Sequence, residues 1–275
     1  MNSIITSTFG SILENARQFL QIWRMGGQTP AASGSPADRG VLPWLAIIAI
    51  IALTAWLADA RIAIAAREVP FVWQRIFSTI TQIGWSGYLF TISGILAIAA
   101  PAAALTGNSL QARTGLILLA HRAVLVFVVL TTSGIAAQVI KHLVGRGRPR
   151  LMEQYGAFHF DMFSLKATLA SFPSGHTITA FAMAWTMALF LPRLRWPLYI
   201  VACLVGISRV VIGAHYPSDV LAGAAIGTIS AILTARAFAR RHIAVEFSNG
   251  GMSARGRGLV TAALRASFQA GKARA

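Results

Sequence analysis

The chain has 275 residues, of which 56% are apolar and only 12% charged, about half the charged share of a soluble domain. That composition excludes an ordinary soluble globular protein and points to an all-α, polytopic membrane protein of one domain, with about six transmembrane helices. The net charge of +16 would suit nucleic acid, but the basic residues are scattered through apolar sequence, so no nucleic-acid partner is expected and an anionic lipid surface is the expected counterpart.

Met1 to Met25 lack the apolar core and small-residue cleavage site of a secretory signal. Ile5, Phe9, Ile12, Leu13, Ala16, Phe19, Leu20 and Trp23 instead recur at helical spacing. The pattern fits an amphipathic helix lying on the membrane, or equally a helix covering the membrane domain. Gly26 to Gly40, rich in Pro, Gly and Ser, reads as a linker that closes an N-terminal segment over 1–40.

The membrane domain is expected over 41–238. Val41–Ala58, Gly87–Leu105 and Ala123–Ile140 are charge-free and close to the roughly 20 residues that cross a bilayer. Thr177–Leu191, Trp196–Ala214 and Val220–Phe238 complete six candidate spans; the fifth contains Arg209, and Arg236 ends the sixth, where it can snorkel. The single cysteine, Cys203, lies in the fifth, so no intramolecular disulfide is expected. Asp59 to Ser86 is mixed, and Trp73, Phe77 and Trp85 suggest a short interfacial helix. A basic cytoplasmic tail is expected over 239–275. Leu259, Val260, Ala263, Leu264 and Phe268 make an apolar stripe there, which fits an interfacial helix as well as disorder.

With both termini cytoplasmic, fifteen of the 24 Lys and Arg fall on the cytoplasmic side, leaving nine outside, as the positive-inside rule favours. This topology sends three polar motifs to one non-cytoplasmic face. They are Lys141-His-Leu-Val-Gly-Arg-Gly-Arg148-Pro149, Pro173-Ser174-Gly175-His176, and Ser208-Arg209 followed by His215 and Asp219.

Charge at the ends of apolar runs is expensive and points to a site. Lys141, Arg148 and Arg209 suit a phosphate anion, the guanidinium as a planar fork and the ammonium as a point charge. Ser174 supplies a hydroxyl, Gly175 a close backbone approach, and the helix start its free amides. Asp219 lies four residues after His215 and can orient that ring for attack on phosphorus, while His176 is placed to act as general acid and base. His176, His215 and Asp219 also resemble a two-histidine, one-carboxylate metal set, but three cations would crowd a metal ion. The expected chemistry is therefore metal-independent and needs no cofactor.

Taken together and in this order, the three motifs resemble those of the type 2 phosphatidic acid phosphatase superfamily. The match runs from Lys141 to Asp219, and every motif position is filled. The resemblance implies the helical core shared with acid phosphatases and vanadium haloperoxidases. It also implies His215 as nucleophile, Asp219 as its orienter, His176 as acid, and Lys141, Arg148, Ser174, Gly175 and Arg209 as phosphate holders. The highly apolar spans resemble the membrane branch, which implies an inner-membrane lipid phosphatase with its site on the periplasmic or outer face. Its substrate would be lipid A, undecaprenyl diphosphate, phosphatidylglycerophosphate or phosphatidic acid. A lipid-to-acceptor phosphotransferase and a silent lipid-binding scaffold of the same fold are the alternatives.

Outside the motifs, Arg146 and Arg150 read either as contacts to a second phosphate or as solvated loop charges. Glu153, Tyr155, His159, Asp161 and Lys166 fall in a loop, 151–170, expected to shape the entrance.

Overall fold

The computed structural model describes residues 41–105, 109–248 and 251–256. The segments expected over 1–40 and the apolar stripe from Leu259 onward lie outside the described residues. Helices dominate: α1 Leu42–Leu57, α2 Asp59–Ala65, α3 Phe71–Ile80, α4 Ser86–Leu105, α5 Leu110–Val144, α6 Met152–Tyr155, α7 Gly175–Phe190, α8 Arg195–Val211 and α9 Pro217–Ala239. An antiparallel hairpin follows, β1 Val245–Ser248 with β2 Gly251–Ala254, in the register Val245 to Ala254 and Ser248 to Gly251. The tail thus begins with a hairpin that apolar periodicity did not suggest.

All six expected spans fall on helices, while the exact count of six is not confirmed. Among the described residues, four segments are long and apolar enough to cross a membrane: Phe71–Leu105, Leu110–Val144, Pro192–Val211 and Pro217–Ala239. The pair α1 and α2 makes a fifth if it counts as one span, bent by 52°. Helix α7 has 16 residues, about 24 Å at 1.5 Å per residue, and falls short. The mixed segment after Asp59 holds two helices and a 3₁₀ turn, Thr81–Gly84, instead of one interfacial helix.

The chain divides into two compact units. One contains residues 87–105, 109–128, 234–248 and 251–256. Within it, Phe90 meets Phe127 edge to face at 5.3 Å, and the buried Arg122 donates from Nη2 to the Arg255 carbonyl at 2.9 Å.

The other unit, described over 41–86 and 129–233, carries all three motifs. Its helix ends follow local chemistry. Pro217 starts α9 in the first turn, where a missing N–H costs nothing, and Pro192 follows the end of α7. Helices α7 and α8 pack along each other, and α3 with the Thr81–Gly84 turn packs on α8. Against α7, the start of α9 approaches closely: a Cβ on Gly223 would lie 2.8 Å from the Ser174 carbonyl, and one on Gly227 would overlap the Ile178 carbonyl. Small residues permit this approach where two polar helix segments must meet.

Candidate active site

Three short segments build the site: the chain after α5, the start of α7, and the loop from α8 to α9. Lys141 lies in the last turn of α5. The chain then turns through Gly145, whose φ of +59° suits glycine, into an extended stretch. This stretch is stitched to the 156–171 loop by Asp161 N to Gly145 O at 2.9 Å, Gly147 N to His159 O at 2.9 Å and Ser171 N to Arg146 O at 3.0 Å. Arg148 is fixed through its amide, bonded to Thr168 O at 3.0 Å, and its Nε, bonded to Ala167 O at 3.0 Å. Burial, with the Arg150 guanidinium beside it, pulls Arg148 below the usual arginine range.

Helix α7 starts at Gly175, and its first intrahelical amide bond is Ile178 N to Ser174 O at 3.0 Å. The amides before it belong to the donors an α-helix leaves for an anion. A Cβ on Gly175 would sit 3.7 Å from Lys141 Nζ, so the first and second motifs meet. Ser174 is fully buried, its hydroxyl 2.8 Å from Thr177 Oγ1 and its amide bonded to the Asp219 carbonyl at 3.0 Å. His176 lies within electrostatic range of Arg209, His215, Lys141 and Arg148. All three expected cations and both histidines are therefore brought to one place.

Arg209 is buried and donates from Nη1 to Thr81 Oγ1 at 2.8 Å, while its Nε is buried without a partner among the described residues. Beyond it the chain reverses, with Ala214 N and His215 N both bonding Arg209 O, at 3.0 and 3.2 Å. His215 is 3% exposed, and its Nδ1 lies 2.7 Å from the Ser171 carbonyl but 3.7 Å from Asp219 Oδ2. A carbonyl only accepts, so Nδ1 carries the proton and Nε2 holds the lone pair. Burial lowers the His215 pKa, against the opposing influence of Asp219, which keeps the ring neutral.

Asp219 is fully buried and saturated. Oδ2 accepts from Ser171 Oγ at 2.6 Å and from the Tyr216 amide at 2.9 Å, and Oδ1 accepts from Arg146 Nη1 at 2.7 Å. Asp219 thus reaches His215 chiefly through Ser171, which donates to it and accepts from the ring. Neither reading of Arg146, as a contact to a second phosphate or as a solvated loop charge, holds. It is 3% exposed and clamped between Asp219 and Asp59, with Nη2 2.8 Å from Asp59 Oδ2, because a buried guanidinium needs paired carboxylates. Its fork also bonds Ser218 Oγ at 2.8 Å and the Ala157 carbonyl at 3.0 Å, and lies 4.3 Å from the Tyr216 ring centroid. Burial, with the nearby carboxylates, pushes the Tyr216 phenol up to about 12. In the 151–170 loop, Glu153 pairs with Arg67, and Tyr155 stacks on His159 at 4.5 Å.

Asp59, Thr81, Ser171 and Ser218 were missed by sequence reasoning. Only Asp59 left a signal, as a lone acid directly after an apolar run.

The three motifs sit inside the region, residues 122–243, that matches the family model described as the PAP2 superfamily. The chain is 34% identical over 203 residues to a lipid A 1-phosphatase of Rhizobium etli, covering 72% of this chain and 87% of that protein. A lipid A 1-phosphatase of Rhizobium johnstonii is 32% identical over 218 residues, 79% of this chain and 86% of that one. Among solved structures, a transmembrane PAP2-type phosphatidylglycerolphosphate phosphatase from Bacillus subtilis is similar, with a TM-score of 0.48 and 25% identity over 71% of this chain and 94% of that chain. With the three motifs gathered in one unit and relatives matched over most of their length, the chain belongs to the PAP2 superfamily and is a membrane phosphatase.

Proposed function

We propose that this phosphatase hydrolyses a phosphate ester or diphosphate of a membrane lipid, lipid A 1-phosphate first among the candidates, through a phosphohistidine on His215. The observation that carries the reading is the 2.7 Å contact from His215 Nδ1 to the Ser171 carbonyl, which leaves Nε2 as the basic nitrogen of a neutral, buried ring. Nε2 attacks phosphorus, forming the N–P bond as the bond to the lipid oxygen breaks, and His176 gives that oxygen a proton. Water then attacks the phosphohistidine and gives its proton to His176, and the N–P bond breaks to release phosphate. Lys141, Arg148, Arg209 and the first amides of α7 hold the charge that spreads over the phosphoryl oxygens. The unpartnered Nε of Arg209 is a buried donor for which a phosphate oxygen would supply the acceptor.

The choice of lipid A rests on the two Rhizobium relatives, whose matches extend well beyond the motifs. The placement of the site on the outer face of the inner membrane, with both termini cytoplasmic, rests on the fifteen-to-nine division of basic residues. Purified protein is expected to release phosphate from lipid A 1-phosphate faster than from undecaprenyl diphosphate, phosphatidylglycerophosphate or phosphatidic acid. His215→Ala should be folded and inactive. Full turnover in His215→Ala would sink the mechanism, and phosphate delivered to an acceptor in place of water would turn hydrolysis into phosphotransfer.

A further inference from the structure

We propose that Asp59, at the break between α1 and α2, is a positioning residue for His215, acting by leaving the buried Asp59–Arg146–Asp219 cluster one negative charge in excess. The inference rests on the phosphohistidine reading. Arg146 divides its fork between the two carboxylates, Nη1 to Asp219 at 2.7 Å and Nη2 to Asp59 at 2.8 Å, and all three side chains are 3% exposed or less. One guanidinium thus meets two carboxylates. Were Arg146 paired with Asp219 alone, the charge of Asp219 would be cancelled before it could act on the ring. With Asp59 taking half of the fork, a negative charge remains behind His215, 3.7 Å from Nδ1 at Asp219 Oδ2.

That excess has a use only when the ring becomes cationic. A phosphorylated imidazole retaining its Nδ1 proton carries positive charge, and the cluster then has a counterpart in a region where unbalanced charge is costly. Lys141, Arg148 and Arg209 also lie within electrostatic range of His176, but their charge answers the phosphate itself. Asp59 has a second hold on the same loop. Its Oδ1 accepts from the Ser218 amide at 3.0 Å and its Oδ2 from the Ser218 hydroxyl, so it caps the first turn of α9 from another helix. Asp219, three residues into that helix, reaches back to the Tyr216 amide, so two carboxylates converge on one helix start. The 52° bend between α1 and α2 puts Asp59 at the helix break, at the first residue of α2.

Vanadate tests this without a lipid substrate, because an N–V bond at the histidine places the same positive charge on the ring. Full-length protein, wild type and Asp59→Asn, is titrated with orthovanadate, and thermal unfolding is followed beside it. Asp59→Asn should keep its fold and bind vanadate about 10- to 100-fold more weakly, the usual scale for removing an outer partner of a ligating side chain. Asp59→Glu, which keeps the charge, should stay within about 3-fold of wild type, a difference of under 1 kcal/mol. Equal vanadate affinity in folded Asp59→Asn would overturn the proposal and leave the phosphohistidine reading standing. Absence of vanadate binding by the wild type would overturn both. If Asp59→Asn does not fold, Asp59→Ser, with room for a water, takes its place. Failure of both to fold would assign Asp59 to structure alone and overturn the proposal.

Discussion

Gly145→Ala tests whether the backbone stitching of the site segment sets its geometry. Gly145 has φ +59°, and a Cβ built there would lie 2.5 Å from the Asp161 carbonyl carbon, with the carbonyl oxygen nearer still. A left-handed residue with a Cβ costs about 1–2 kcal/mol, and forcing an extra carbon into packed surroundings costs about 1–3 more, so the sum is about 2–5 kcal/mol. The substitution also pushes apart the Asp161 N to Gly145 O bond that aligns Arg146 and Arg148 with the 156–171 loop. Gly156→Ala is the internal control. Its φ is +80°, yet nothing lies within 4 Å of a Cβ there, so only the backbone cost applies. Thermal unfolding in detergent and phosphate release should therefore rank wild type above Gly156→Ala, and Gly156→Ala above Gly145→Ala, with turnover collapsing only in the last. Equal stability of the two variants, or wild-type turnover in Gly145→Ala, would refute the reasoning.

Two further outcomes follow from the site. Burial lowers the His215 pKa, so the neutral nucleophile persists below the ordinary histidine value of about 6.5, and the acid limb of kcat that it governs should lie below that pH. The sign for stability agrees: the unfolded chain takes up this proton near 6.5 while the folded chain resists, so stability present above that pH is lost as pH falls, and a kcat limb above about 7 assigned to His215 would contradict this. Thr81→Val removes the acceptor of Arg209 Nη1 at nearly constant volume. A hydrogen bond to a charged group contributes about 1.5–3 kcal/mol, so kcat/KM should fall about 10- to 100-fold, and an unchanged value would show that Thr81 does not hold Arg209.

The motif-borne half of the candidate site was legible because its residues break apolar runs. Lys141, Arg148, His176, Arg209, His215 and Asp219 stand where a purely structural helix end has no need of them, and their order and spacing make up the three motifs. The supporting half left far less trace. Ser171 acts through its carbonyl and Thr81 and Ser218 through hydroxyls, and such groups look alike in every loop. Arg146 reads as a loop cation because the partner that removes it from water, Asp59, lies 87 positions away. The helix lengths depart from the expected spans for a different reason. Helix α5 continues through Arg113, His121 and Arg122 to reach 35 residues, well beyond the charge-free core, while α7 stops at 16 because Leu191 precedes a proline.

The position of Ser171 changes what the spacing of His215 and Asp219 means. Four residues apart, the pair invites a direct bond, yet the shorter contact of the ring is to a backbone carbonyl, 2.7 Å against 3.7 Å. Ser171 makes three bonds at once: its carbonyl accepts from His215, its hydroxyl donates to Asp219, and its amide donates to the Arg146 carbonyl. A carbonyl fixes the tautomer as firmly as a carboxylate would, because it too can only accept. It contributes a dipole where a carboxylate contributes a full charge, so the ring can be held in place while neutral without being drawn toward the protonated form. The full charge of Asp219 stands one ångström further off, where, in the proposed mechanism, it favours the cationic ring once the N–P bond has formed. In that proposal, orientation of the His215 ring and stabilisation of its charge are divided between two groups, and a single serine in the loop before α7 keeps both in register.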